Sequence, residues 1–335
     1  MQRFAINVGG CFDNFHEEFT VRIAAAAYIG RRMEGRSLMK MLLASLPLAL
    51  VATTTPAAAK EPAIHSAVIT DPAPDAAYPA GMDAFAIPVE DGALNAVMYT
   101  AAGAGRHPAL LLLHGFPGNE QNLDLAQAAR RAGWHVLTLH YRGSWGSPGS
   151  FSFGNAARDA WEALLFLSKP ETVAKYRIDP STIVVAGHSM GGFMAADAAA
   201  SEPRVAGLFL IDPWDPGDTG KTLGTAEGLA AWRARVDLAP LKGTSFDALA
   251  GELREGTQRF DLGRRLAVYA RRPLSIIGAE RGQAKTARAV STDAQAVNPD
   301  ARLTVWQSDH SFNDKRIALA DALVRFLKGI APMAR

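Results

Sequence analysis

Apolar positions along the chain fall into short blocks separated by glycine, proline and charge, and from about Asp83 onward the blocks follow a regular order. Residues 84–88 and 94–100 read as two strands joined by the turn residues Asp91-Gly92. Ala109-Leu110-Leu111-Leu112-Leu113 is wholly apolar, as expected of a strand buried on both faces of a sheet. The period then lengthens to that of a helix at 123–132, closed by Gly133, before Val136-Leu137-Thr138-Leu139 forms the next strand. A long helix at about 156–168, a strand at 183–186, a helix at about 190–200 and a strand at 207–211 continue the alternation. It stops after Ile211. Residues 213–272 lack a clear buried strand and carry helical patches at about 225–235, 246–254 and 261–270. It resumes with a strand at 274–277, a helix near 284–296, a strand at 303–306 and a last helix at about 315–328. Repeated strand–helix units predict a doubly wound, mostly parallel eight-stranded α/β sheet whose ligands bind at the carboxyl ends of the strands. The interruption at 213–272 is too short for an independent domain and reads as a small helical cap.

The first sixty residues do not fit this scheme. Arg31, Arg32, Arg36 and Lys40 precede the apolar run 41–52, and Thr53-Thr54-Thr55-Pro56 and Ala57-Ala58-Ala59 follow it. A basic stretch, a short apolar segment and an Ala-x-Ala site are the parts of a secretory signal peptide, which predicts cleavage after Ala59 and a periplasmic or secreted protein. The run is about 12 residues against the roughly 20 that span a bilayer, so no membrane span is expected to remain after processing. Met39 and Met41 lie where such a signal would naturally start.

Composition narrows the class further. The 335 residues are 48% hydrophobic and 20% charged with a net charge of +2, which excludes a disordered chain, a collagen-like repeat and a disulfide-stapled miniprotein. So balanced a charge also argues against a nucleic-acid partner. Six of the 35 basic and four of the 33 acidic residues lie in the first 59, so the remaining 276 carry 29 of each sign. The single cysteine is Cys11, so the processed chain has no disulfide, thiol nucleophile or cysteine–metal site.

Candidate chemistry sits at strand ends. Gly187-His188-Ser189-Met190-Gly191-Gly192 lies between an apolar strand and a helix, the context of a G-x-S-x-G nucleophile elbow. There a sharp turn would hold the Ser189 hydroxyl above the sheet edge, and Met190 would offer its N–H to a developing oxyanion. His114-Gly115-Phe116-Pro117-Gly118 follows the strand at 109–113 and would supply a second donor, the N–H of Phe116. His114 itself is expected to pack and hydrogen-bond inside the turn. A general base should come last in chain order, and His310, in Ser308-Asp309-His310-Ser311-Phe312, is the histidine beyond the final strand. The partner acid is expected at Glu280, the carboxylate of the loop Gly278-Ala279-Glu280-Arg281-Gly282, with Asp212, immediately after Ile211, as the alternative.

Four ordered segments carry a family resemblance: 111–118, Tyr141-Arg142-Gly143-Ser144-Trp145-Gly146-Ser147-Pro148-Gly149, 187–192 and 309–312. Together they resemble the α/β-hydrolases, specifically the S9-type (dipeptidyl-aminopeptidase/acylaminoacyl-peptidase-like) esterases and peptidases. The resemblance implies Ser189 as nucleophile, His310 as base, and Phe116 and Met190 as oxyanion donors. It departs from the family pattern where an aspartate is usual and Arg281 and Gly282 stand instead. Peptidases of this kind usually carry a large propeller that 276 residues cannot hold, which favours an esterase. The expectation is therefore an exported serine hydrolase acting on a small-molecule ester, with a short acyl-amide or peptide substrate, or a weakened hydrolase-fold binding protein, as alternatives. Neither a metal nor an organic cofactor is implied.

Overall fold

A computed structural model of the chain describes residues 63–330. The leader, its cleavage site and the start-codon alternatives lie outside the described residues.

Eight strands form one sheet: β1 Gly81–Val89, β2 Gly92–Thr100, β3 His107–Leu113, β4 His135–His140, β5 Ile178–His188, β6 Val205–Ile211, β7 Leu274–Arg281 and β8 Arg302–Asp309. Their spatial order is β1-β2-β4-β3-β5-β6-β7-β8. β1 pairs antiparallel with β2 and β2 with β4, and every later pairing is parallel. The helices in chain order are α1 Ser66–Ile69, α2 Leu123–Arg131, α3 Phe153–Ser168, α4 Pro170–Tyr176, α5 Met190–Ser201, α6 Pro216–Thr222, α7 Ala226–Arg233, α8 Phe246–Glu255, α9 Leu262–Tyr269, α10 Ala284–Val297 and α11 Arg316–Ile330.

Alternation along β3 shows how the apolar run is used. Leu111 and Leu113 belong to a core beneath α3, α5 and α9, whereas Leu110 and Leu112 face Leu125 of α2 and Leu323 and Leu327 of α11. Successive side chains of a strand point to opposite faces, so a run with no polar member fits only a strand covered on both sides. The sheet is thus the middle of three layers.

Four helices, α6 to α9, lie between β6 and β7 and supply the cap expected from the interrupted pattern. One of their ties to the sheet runs through the loop after β4. Ser144 bridges to Leu241, the Lys242 N–H donates to the Gly143 carbonyl at 2.7 Å, and the Trp145 N–H to that of Pro240 at 3.0 Å. That loop is in turn fastened to α3. The Arg142 N–H and Nε donate to the Asp159 carboxylate at 2.8 and 2.7 Å, with both residues buried. Burial raises the Asp159 pKa against the pull of the guanidinium, so the pair is worth more as a geometric clamp than as a net source of stability.

Besides α1 and α6, which the apolar pattern does not mark, two elements differ from it. Lys169 is extended and Pro170 takes the first helical position, so α4 starts a new helix where the apolar period had ended. β5 begins at Ile178, ahead of its apolar run, because His107 pairs with Ile178 across Asp179, Pro180 and Ser181.

Candidate active site

β5, β6, β7 and β8 are neighbours, and their carboxyl ends deliver the site. Ser189 sits between β5 and α5 with φ 56° and ψ −119°, a strained conformation for a residue with a Cβ. Three backbone bonds hold it there: its N–H donates to the Ile211 carbonyl at 3.0 Å, and its own carbonyl accepts from Gly192 at 2.9 Å and Trp214 at 3.0 Å. The turn is tight enough to demand glycine, since a Cβ on Gly187 would come within 1.9 Å of the Gly191 carbonyl oxygen. Met190 is the first residue of α5, so its N–H is among the donors a helix leaves unpaired at its start.

The turn after β3 closes on the same point. A Cβ on Gly115 would lie 3.0 Å from Ser189 Cβ, so the Gly115–Phe116 backbone runs directly past the serine. His114 lies beneath this turn, with Nδ1–H donating to the Gly115 carbonyl at 2.7 Å. Burial lowers its pKa to about 4, so it is neutral at pH 7 and serves the turn, as expected. Phe116, Ser189 and His310 line one cavity of about 420 Å³, whose other walls include Trp214, Trp232 and Arg235.

His310 follows β8. Its Nδ1 donates to Oδ2 of Asp212 at 2.6 Å. Asp212 is fully buried, and its carboxylate also accepts the Ala279 N–H at Oδ1 and the Gln283 N–H at Oδ2, both at 2.8 Å. Two donors from the chain therefore fix the carboxylate, and the carboxylate fixes which imidazole nitrogen carries the proton. Gly282 makes room for this: a Cβ there would stand 2.1 Å from Asp212 Oδ2.

Glu280 does not take the part expected of it. Its carboxylate is paired with Arg288 on α10, which lowers its pKa, and the residue is exposed. The cause is strand register. β7 continues to Arg281, past the apolar run that ends at Ile277, so Ala279 points inward and Glu280 outward. The imidazole is partnered all the same, from one strand earlier, and the departure at Arg281 and Gly282 leaves no gap at His310. A sequence signal for Asp212 existed: a lone carboxylate directly after the wholly apolar strand β6, beside the strand of the serine.

His188 was not singled out by the motifs. It is buried, its Nε2–H donates to the His310 carbonyl at 2.8 Å, and its ring lies 4.6 Å from the His310 ring. Burial, helped by the neighbouring His310, pushes its pKa down to about 3, so it stays neutral beside the imidazole. It links the strand of the serine to the loop of the histidine. Among the described residues no group of three or more His, Cys, Asp or Glu side chains is placed to hold a metal ion, and no helix is long and apolar enough to cross a membrane.

Comparison with known proteins gives a consistent picture. Residues 110–329 match the model of the alpha/beta hydrolase family. A curated relative, the lysophosphatidylserine lipase ABHD12 of Danio rerio, is 34% identical over 111 residues, 32% of this chain and 27% of that protein. The chain thus spans about a quarter of that relative's length. Among solved structures, the carboxylesterase EstE1 from a metagenomic library shares 21% identity over 80% of this chain and 93% of its own, with a TM-score of 0.55. Est1E from Butyrivibrio proteoclasticus shares 18% over 73% of this chain and 98% of its own, with a TM-score of 0.58. Identities this low speak for the fold. With the family match running from β3 to α11, the chain belongs to the alpha/beta hydrolase family.

Proposed function

We propose that the protein is an exported serine hydrolase that cleaves carboxylic esters through an acyl-enzyme, with Ser189, His310 and Asp212 as its triad and with motifs that resemble those of S9-type esterases. The observation that carries the proposal is the buried Asp212 carboxylate on Nδ1 of His310, a histidine that lines one cavity with a strained Ser189. Ser189 Oγ attacks the ester carbonyl carbon while His310 Nε2 takes its proton. Asp212 holds the imidazole in the tautomer that leaves Nε2 free and stabilises the imidazolium that forms. The N–H groups of Phe116 and Met190 hold the oxyanion. Collapse expels the alkoxide, which receives the proton from His310, and leaves an acyl group on Ser189. Water, deprotonated by the same nitrogen, then releases the carboxylic acid and restores the serine.

Turnover of p-nitrophenyl acetate and butyrate tests this directly. The parent protein should hydrolyse both, and Ser189→Ala should lose roughly 10⁴-fold or more. Near-native turnover in Ser189→Ala would reduce the elbow to a structural turn. Export is supported by the leader pattern alone, and N-terminal sequencing of protein recovered outside the cytoplasm should begin at Lys60.

A further inference from the structure

The cavity beside Ser189 has aromatic walls but an unevenly satisfied polar lining. Thr219 Oγ1 accepts from Trp214 Nε1 at 2.6 Å, and the Thr222 hydroxyl donates to the Thr219 carbonyl at 2.8 Å, so both hydroxyls are engaged. Asp218 stands 3.6 Å from Lys221, which offsets its charge. Besides the Ser189 hydroxyl, the His310 imidazole and the Trp232 indole N–H, two side-chain donors of the lining have no hydrogen-bond partner among the described residues. One is the amide nitrogen of Gln283, whose Oε1 accepts from Thr286. The other is the outer fork of Arg235. Its Nε is tied to the Ala231 carbonyl at 3.2 Å, which holds the guanidinium against the end of α7. Of the other acids on this part of the cap, Asp237 accepts the Ala239 N–H and Asp247 is paired with Arg233.

Resting on the esterase reading above, we propose that the natural substrate is an ester carrying a negative charge, a carboxylate or phosphate, and that Arg235 and Gln283 receive it. A planar fork with two free NH2 groups matches a carboxylate or phosphate edge in a way a lone ammonium does not. Phe116, Trp214 and Trp232 line the same cavity and offer the rest of the ester an apolar surface. A neutral ester of the same size gives the exposed Arg235 fork no ionic partner, so discrimination arises from the charge-assisted bond that the anion gains.

The test compares esters matched in length, followed by pH-stat titration of acid release. Monoethyl glutarate against ethyl pentanoate places the carboxylate on the acyl side, and 3-(butanoyloxy)propanoate against propyl butanoate places it on the alcohol side. One anionic ester of the two should exceed its neutral counterpart at least tenfold in kcat/KM. Arg235→Gln should collapse that ratio toward one, Arg235→Lys should keep part of it, and about 0.5 M salt should shrink it in the parent, since a paired surface charge is screened. Arg235 is exposed, so folding is not at stake in these variants. Equal rates on charged and neutral esters, or a ratio untouched by Arg235→Gln, would overturn the proposal while leaving ester hydrolysis standing. Failure on all four esters, with no labelling by a fluorophosphonate, would remove the esterase reading and this inference together.

Discussion

Replacing Asp212 with Asn keeps size and shape and removes only the charge and one acceptor. In the parent, Oδ1 accepts from the Ala279 N–H, and Oδ2 from both the Gln283 N–H and His310 Nδ1. An amide offers one oxygen and one NH2. With its oxygen toward Ala279, the NH2 would face two donors. With its oxygen toward Gln283 and His310, the NH2 would face the Ala279 N–H. Either way a fully buried donor is left unmatched, at a cost of about 1–3 kcal/mol of stability. The chemical loss is larger. The imidazolium formed when Ser189 gives up its proton loses its counter-charge, and an NH2 beside Nδ1 favours the tautomer whose Nε2 already carries a proton. Triads deprived of their carboxylate in this way lose on the order of 10⁴ in kcat, about 5 kcal/mol of barrier. Initial rates on p-nitrophenyl butyrate, with thermal unfolding followed by circular dichroism to separate folding from chemistry, give both quantities. Glu280→Gln is the control: Glu280 is exposed on Arg288, and turnover should stay within threefold of the parent. A folded Asp212→Asn protein within tenfold of parent activity, or an equal fall in Glu280→Gln, would refute the assignment.

Further consequences follow from the same contacts. Gly282→Ala would place a methyl 2.1 Å from Asp212 Oδ2 and 3.0 Å from His310 Cα, so kcat should drop at least about 10²-fold with a smaller change in KM; parent-like kcat would show that the acid is held some other way. His188→Leu removes the donor to the His310 carbonyl and should lower kcat by roughly 10- to 100-fold and shift the pH profile of kcat, with His188→Gln recovering most of it; if Leu and Gln behave alike, the bond is not what positions the histidine. Burial lowers the pKa of His114 to about 4, His135 to about 4 and His188 to about 3, so the folded protein binds fewer protons than the unfolded chain below the ordinary histidine value of 6.5. Stability is then fully present above pH 6.5 and lost as pH falls toward the folded values, with a slope of about 3–4 kcal/mol per pH unit near pH 5 from these three groups. Urea unfolding at pH 7, 6 and 5 measures it, and a midpoint unchanged across that range would contradict the burial of these imidazoles.

Much of the fold could be read before any coordinates because its strands are buried on both sides. Ala109-Leu110-Leu111-Leu112-Leu113 and the run ending at Ile211 have no polar position to confuse strand with surface helix, and each ends where chemistry begins. The elbow at Ser189 was legible for a related reason: its glycines answer to backbone contacts that no other residue fits. The acid was harder. Glu280 and Asp212 both follow apolar strands, and the choice between them turns on whether β7 stops at Ile277 or runs on to Arg281. Pairing with β8 decides that, with Arg281 opposite Asp309, and pairing across strands is not written in local composition. The early start of β5 is hidden for the same reason, since Asp179, Pro180 and Ser181 have the composition of a loop and only the pairing of His107 with Ile178 makes a strand there. His188 was hidden by its own motif, where the middle position tolerates many residues and the contact it makes lies 122 residues away.

The central claim is that Ser189 is a nucleophile activated by a histidine–aspartate pair. Reaction of the intact protein with a fluorophosphonate, followed by proteolysis and tandem mass spectrometry, tests it at the atom concerned, because such a reagent is attacked only by an activated hydroxyl. One adduct per chain on Ser189 is the predicted result, slowed at least 10²-fold in His310→Ala. An unmodified Ser189 in folded protein, or an adduct on another residue, would contradict it.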